Sequence, residues 1–374
     1  MVPTCVLYYG AYACLLALIV VTNFIVLPVT LQMLLFTAAI IYIGCHISLH
    51  LLVKEEGGSG KEKDIIKAKD AMLFPVIGSI ALFTLYVCYK FLPKEYVNML
   101  LTTYLMALGS AAVSETLYPM VYPLMPKSMV EKSYHIKSEN KYAPFDVSFN
   151  QVNILTFLAA VGMAGLWFYT KSFALHNVFA IAFSMQAIGL ISVNSFKIAT
   201  ILLCGLFLYD IFWVFGTEVM VTVAKAFEGP AKLIFPASLD PWKQSILGLG
   251  DIVIPGIFIS MCLRYDAVRA GKNFRKDSVE DTLQSFPKPY FTAAMVMYSL
   301  GLATTAAVMF VFDHPQPALL YLVPFCLASL YGTALVKGDF AEMWKYTEEP
   351  PEEEGKGEED KGKGGKGAEE KKSS

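Results

Sequence analysis

Charge is scarce in this chain: Lys, Arg, Asp and Glu make up 17% of 374 residues, and no Lys or Arg occurs before residue 54. The apolar N-terminus therefore lacks the basic region that opens a secretory signal peptide, and no small-residue cleavage site stands near Pro28. No basic patch is interleaved with aromatics, which excludes a nucleic-acid-binding surface. The seven cysteines, at 5, 14, 45, 88, 204, 262 and 326, all lie in apolar segments and form no CxxC pair. That spacing speaks against a disulfide framework or a zinc site and for small buried hydrophobes. No Asn-x-Ser/Thr sequon occurs, so N-glycosylation is not expected.

What is abundant is hydrocarbon. Hydrophobic residues make up 55% of the chain, and mean hydropathy is +0.51. Apolar runs recur at the length that crosses a bilayer, roughly 20 residues. They fall at 5–27, 30–53, 70–92, 96–118, 152–170, 177–193, 198–217, 245–263, 290–312 and 316–336. The pattern predicts an all-α polytopic membrane protein of nine or ten transmembrane helices. The open point is 1–29, whose apolar segment is a span, an interfacial helix or a removed segment. The loops 54–69, 119–151, 194–197 and 264–289 carry sixteen Lys/Arg, and the alternate loops carry six. The positive-inside rule then puts 264–289 and the C-terminus in the cytosol and loop 218–244 on the lumenal or external side. Residues 347–374 are Glu/Lys/Gly low complexity and read as a disordered cytosolic tail after a membrane domain of 1–346. Lys371 and Lys372 near its end match a dilysine retrieval signal.

Two carboxylates break the apolar runs. Asp210 lies in IATILLCGLFLYDIFWVFG and Asp251 in SILGLGDIVIPGIFISMCL. An ionisable group at bilayer depth costs about 3 kcal/mol or more, so each is a functional candidate. Asp210 stands 13 residues after Lys197 and Asp251 13 residues before Arg264. If both basic residues mark one membrane face, both acids sit about 20 Å from it, at ~1.5 Å per residue. Two such carboxyls share a proton, because both cannot ionise cheaply in a water-poor site. The protonated one can polarise a carbonyl while the other activates water. From the acids alone, a proton or ion relay in a transporter is as good a reading as hydrolysis. Gly248 and Gly250, flanking Leu249, are read as allowing close helix approach. Gln316-Pro317-Ala318-Leu319 opens the last span, where proline perturbs a helix start.

Other polar residues carry weaker expectations. His46 and His50 are four apart and read as interfacial histidines, not metal ligands. Glu218 and Glu115 read as solvated or snorkelling span ends. Tyr209 and Phe207 flank Asp210, and Tyr209 is a candidate to hydrogen-bond within the site.

Tyr209-Asp210, then Gly248-Leu249-Gly250-Asp251, then Pro317-Ala318-Leu319 lie on three late spans in that order. This set resembles the presenilin-type intramembrane aspartyl proteases. The longer strings YDIFWVFGTEVMVTVAKAFEGPAKLIFP, LGLGDIVIPGIF and QPALLYLVP are similar to the signal peptide peptidase branch, and the likeness runs over about 70–345. It implies a presenilin-like bundle with catalytic spans within 198–336 and Asp210 and Asp251 as the catalytic pair. It implies that Tyr209, Gly248, Leu249, Gly250, Gln316, Pro317, Ala318 and Leu319 shape the substrate site. No metal or organic cofactor is implied. The implied substrates are signal peptides and type II membrane segments in the endoplasmic reticulum membrane, and homo-oligomers or quality-control partners fit the same picture. A proton-coupled transporter or channel is the alternative, but it has no need of all three motifs together. A non-catalytic scaffold would tolerate neutral residues at both acids. One feature fits poorly: Pro317 is 20 residues from Lys337. On straight helices that displaces the motif by about 10 Å from the acids.

Overall fold

A chain surrounded by hydrocarbon has no water to bond its backbone, so its apolar runs must close their hydrogen bonds internally as helices. The computed structural model describes residues 4–55, 64–130, 133–138, 145–217, 219–239, 242–271, 285–312 and 317–348. Its helices are α1 (Thr4–Val21), α2 (Val29–Glu55), α3 (Ala68–Phe91), α4 (Lys94–Val121), α5 (Lys127–Val130), α6 (Gln151–Thr170), α7 (Phe173–Leu190), α8 (Phe196–Phe215), α9 (Val219–Ala226), α10 (Gly250–Arg269), α11 (Pro289–Phe312), α12 (Leu319–Lys337) and α13 (Phe340–Lys345). Among the described residues, nine helices are long and apolar enough to cross a membrane, α1 included. The twenty-residue α10 is not among them, because it carries Asp251, Arg264, Asp266 and Arg269.

Polarity is turned inside out relative to a protein that folds in water. Met72, Leu73, Phe74, Val76, Ile77, Ile80 and Phe83 of α3 are exposed, while Gln32, His46, His176, Asn177, Asp210, Arg264 and Asp266 are buried. Lipid solvates the first set at no cost, and the second set needs partners inside.

The centre of the bundle is α10, fourteen of whose twenty residues are buried. It packs against α2, α7, α11 and α12. The approach of α2, α7 and α10 is close because two glycines face Ile188 of α7. A methyl at Gly256 would stand 2.5 Å from Ile188 Cδ1, and one at Gly44 2.9 Å from Ile188 Cβ. Small residues at such crossings let helices gain packing contact that lipid cannot offer.

Three two-stranded sheets join the helices, where the sequence reading had only loops and spans. Parallel β1 (Asp64–Ile66) and β4 (Ile191–Val193) form one, and antiparallel β2 (Ser133–Ser138) and β3 (Phe145–Asn150) another. The third pairs β5 (Lys232–Leu239) with β6 (Trp242–Gly248), from Lys232 opposite Gly248 to Leu239 opposite Trp242, with an irregularity between Pro236 and Ser238. Two expectations change as a result. The segment 218–244 is not a bare loop but holds α9 and β5. The span expected at 245–263 begins at Gly250 and runs to Arg269, since 245–248 belong to β6. Arg264, the marker used for the membrane face, is 1% exposed, inside α10. His46 is buried, with its ring against Tyr8, Tyr42 and Phe291.

The chain beyond α13 is tied down as far as it is described. Thr347 bridges to Ser195, the Glu348 amide donates to Asn194 O at 2.9 Å, and the Glu348 carboxylate meets Arg264 at 2.6 Å. The expected tail at 347–374 thus begins with two anchored residues. The rest of it, with Lys371 and Lys372, lies outside the described residues, as do Glu218, Gln316 and the side chain of His50.

Candidate active site

Asp210 comes from α8 and Asp251 from the first turn of α10, two helices in contact at the end of the bundle that carries the β5–β6 hairpin. Asp251 is therefore not in mid-helix. Its helix begins at Gly250 because β6 ends at Gly248 and Leu249 turns between them, its amide donating to Ala231 O at 3.2 Å. Asp210 is buried at 4% exposure, whereas Asp251 is only half-buried. The two side chains lie within electrostatic reach of each other.

Each carboxylate faces the start of a helix. Asp251 occupies the second position of α10. Asp210 Oδ2 accepts from the Leu319 amide, the first residue of α12, at 3.2 Å. The first N–H groups of a helix have no partner within it, and their partial positive charge favours an anion. This offsets part of the cost of burying the acids. The Asp251 backbone is held by α11, whose Tyr298 hydroxyl donates to Asp251 O at 3.3 Å.

Pro317, Ala318 and Leu319 are all buried, and only Leu319 is helical. The Pro317 carbonyl accepts from Leu320 and the Ala318 carbonyl from Tyr321 and Leu322. The Leu319 N–H is left over for Asp210. The structure thus brings the Pro-Ala-Leu motif onto the acid pair. The depth gap has a simple resolution. Thr200 of α8 hydrogen-bonds Tyr331 of α12 at 2.9 Å, so those two positions are level. From there Asp210 is ten residues away and Leu319 twelve. The excess is only about 3 Å, because Lys337 lies past the level of Lys197, whose ammonium sits over Trp344 of α13.

The glycines before Asp251 do not act as the sequence suggested. Neither brings two helices together. Gly250 has only Ile254 Cδ1 at 4.0 Å, and a methyl at Gly248 would stand 3.5 Å from Asp251 Oδ2. What Gly248 supplies is unfilled space beside the carboxylate. Tyr209 packs on α3, its ring within 3.7 Å of a methyl placed at Gly78 and tilted against Trp213. It holds α8 to α3, while Asp210, one residue on, points to α12. Phe207 packs on the core and Glu115 is exposed.

Sequence reasoning missed the polar side chains that grip the hairpin: His176 and Asn177 of α7 and Gln32 of α2, all buried. The signal available was a polar residue inside an apolar run. Their partners are backbone atoms of β5, which no motif announces. Among the described residues no group of three or more His, Cys, Asp or Glu could hold a metal.

The sequence that builds this site was compared with those of known proteins. Residues 58–350 match the family model described as signal peptide peptidase. The chain belongs to the signal peptide peptidase family. It is 38% identical over 301 residues to the signal peptide peptidases of Mus musculus and Homo sapiens, covering 78% of this chain and 76% of each of theirs. It is 31% identical to a probable intramembrane protease of Schizosaccharomyces pombe, over 78% of this chain and 88% of that one. The protein is accordingly a polytopic membrane protease that cleaves within the membrane, and the transporter reading finds no support among these relatives. The hairpin, Asp251 and the Pro-Ala-Leu turn lie inside the matched region.

Proposed function

We propose that this protease is of the aspartic type, with Asp210 and Asp251 as a proton-sharing pair that hydrolyses peptide bonds inside transmembrane segments. The observation that carries the reading is that two carboxylates from neighbouring helices stand together at two helix starts, within electrostatic reach of each other. In the reaction one carboxyl donates a proton to the scissile carbonyl while the other, ionised, takes one from the attacking water. The tetrahedral intermediate then collapses as a carboxyl returns a proton to the leaving nitrogen. No metal or organic cofactor is needed for these steps.

A helical substrate has its amides already bonded, so it must unwind before an acid can reach a peptide bond. Extended backbone pairs with the edge of a sheet, and β6 leads into Asp251 through Leu249 and Gly250. An unwound segment added to β6 delivers its next peptide bonds to the acids. Pro317–Leu319 closes the opposite side. The substrates in this reading are signal peptides, the class that the names of the Mus musculus and Homo sapiens relatives give, and type II membrane segments, in the endoplasmic reticulum membrane with the 264–289 loop cytosolic. The test is cleavage of a labelled signal peptide by the purified protein in detergent, with and without Asp251→Ala. Cleavage that survives Asp251→Ala removes that residue from the chemistry.

A further inference from the structure

The outer edge of β5 is closed by side chains, and the pattern is regular. Asn177 Nδ2 donates to Ile234 O at 2.7 Å, and Ile234 N donates to Asn177 Oδ1 at 2.9 Å. One amide side chain thus makes the pair of bonds a neighbouring strand would make. Two residues earlier, His176 Nε2 lies 3.0 Å from Lys232 O. A carbonyl only accepts, so Nε2 carries the proton. Two residues later, Gln32 Nε2 donates to Pro236 O at 2.9 Å and to Leu27 O at 2.7 Å. Residues 232, 234 and 236 are the alternate positions that face away from β6 in an antiparallel pair. Pro236 has no N–H to offer there. The side chains of His176, Asn177 and Gln32 are each 3% exposed or less.

The same alternation fixes the other edge. Lys232, Ile234 and Pro236 pair with Gly248, Ile246 and Gln244. The backbone groups of those three β6 residues therefore point away from β5. Gln244 and Ile246 are exposed, and Gly248 is three residues from Asp251.

We propose that Gln32, His176 and Asn177 are positioning residues of the protease: they fix the hairpin to α2 and α7 in one register and leave β6 as its single acceptor edge. They touch neither the acids nor the scissile bond. They act through β5 and β6 on where an extended substrate lies relative to Asp251, and so on which bond is cut. Saturating one edge also stops a substrate from pairing on β5, where its bonds would lie one strand further from the acids, about 5 Å away. The inference rests on the aspartyl reading and on strand addition at β6.

The test uses the full-length protein and a transmembrane peptide whose products are weighed by mass spectrometry. Asn177→Leu keeps the side-chain size and removes both bonds to Ile234. Gln32→Met removes its one bond to the hairpin, along with its bond to Leu27 O, and leaves Asn177 in place, so it decides the matter should Asn177→Leu not fold. Asp251→Ala is the control for the chemistry. The expected result per folded molecule is a kcat about tenfold lower for Asn177→Leu, the equivalent of one net hydrogen bond, with KM changed less than about twofold. New products cut one or two residues from the wild-type bond should accompany it, and Gln32→Met should shift products the same way to a smaller extent. A purely structural role would lower the yield of folded protein and leave kcat and the product masses as in wild type. That outcome overturns the proposal. If Asp251→Ala still cleaves, the aspartyl reading fails and this inference goes with it. Loss of cleavage in Asp251→Ala with unchanged products in both other variants sinks the inference alone.

Discussion

At the scale of single residues, the site depends on one backbone N–H. The Leu319 amide reaches Asp210 only because α12 starts at Leu319, and α12 starts there because residues before proline are biased away from helix and Pro317 itself has no N–H to give. In Pro317→Leu the helix can extend back by a turn, and the Leu319 N–H then bonds to the carbonyl four residues earlier. Asp210 loses a charge-assisted hydrogen bond worth about 1.5–3 kcal/mol. Turnover should fall at least about tenfold while the protein stays folded, and a transition-state analogue should bind more weakly. Wild-type turnover and analogue affinity would mean that Pro317 is only a helix-start residue. Gly248→Ala tests the space beside Asp251. Its methyl would meet Oδ2 at 3.5 Å, an ordinary contact, so melting in detergent should be unchanged. Activity should drop about tenfold, because the methyl takes room that a water needs, and water placement is worth several kcal/mol. Full activity in Gly248→Ala would show that this space is not used. Such roles divide by visibility in the sequence. The acids were legible because a charge in an apolar run has few explanations. That the Pro-Ala-Leu motif reaches Asp210 through a backbone amide was not legible, since amides are the same at every position.

At the scale of elements, the central helix is set by contacts far along the chain. Arg264 donates to Glu348 at 2.6 Å, Ser48 at 2.6 Å and Ser260 at 2.8 Å. Nearby, Asp266 accepts from the amides of Tyr290 and Phe291, capping α11, and Asp339 takes both Tyr290 and Arg269. These groups join α2, α10, α11 and the segment after α13. A buried guanidinium left without its carboxylate is destabilising by about 3–5 kcal/mol. Glu348→Gln, or a chain ending at Tyr346, should therefore melt well below wild type in detergent, while a chain ending at Glu348 should not. Equal melting of all three would deny Glu348 that role. Sequence patterns could not supply this. A charge at the end of an apolar run normally marks the membrane face, which says nothing of its partners. The Arg264 partners Ser48 and Glu348 are 216 and 84 residues away. The start of α10 was misplaced for a different reason. Residues 245–249 are mostly small or apolar, and a short run of that kind reads alike as strand or helix.

At the scale of the whole molecule, the number and order of long helices followed from run length, because a bilayer sets one length for every crossing. Orientation rests on the sixteen-to-six Lys/Arg asymmetry between loops. The expected result is that a cysteine placed in 264–289 is labelled only from the cytosol and one in 218–244 only from the lumen. A glycan accepted within 264–289 in the intact protein would reverse the topology. The hairpin that leads to Asp251 was hidden inside what read as loop and span, so the acids could be paired from sequence but not their approach. The bundle brings Asp210 from α8 and Asp251 from α10 to one place, and the central claim is that they share the chemistry. The direct measurement is turnover of a labelled signal peptide by purified Asp210→Asn and Asp251→Asn variants, each shown by its melting curve to be folded. An amide keeps the shape but cannot exchange the proton. General acid/base catalysis contributes about 10²–10⁴-fold, so each variant should retain less than about a tenth of wild-type kcat. A folded Asn variant at either position that turns over near the wild-type rate would contradict the account.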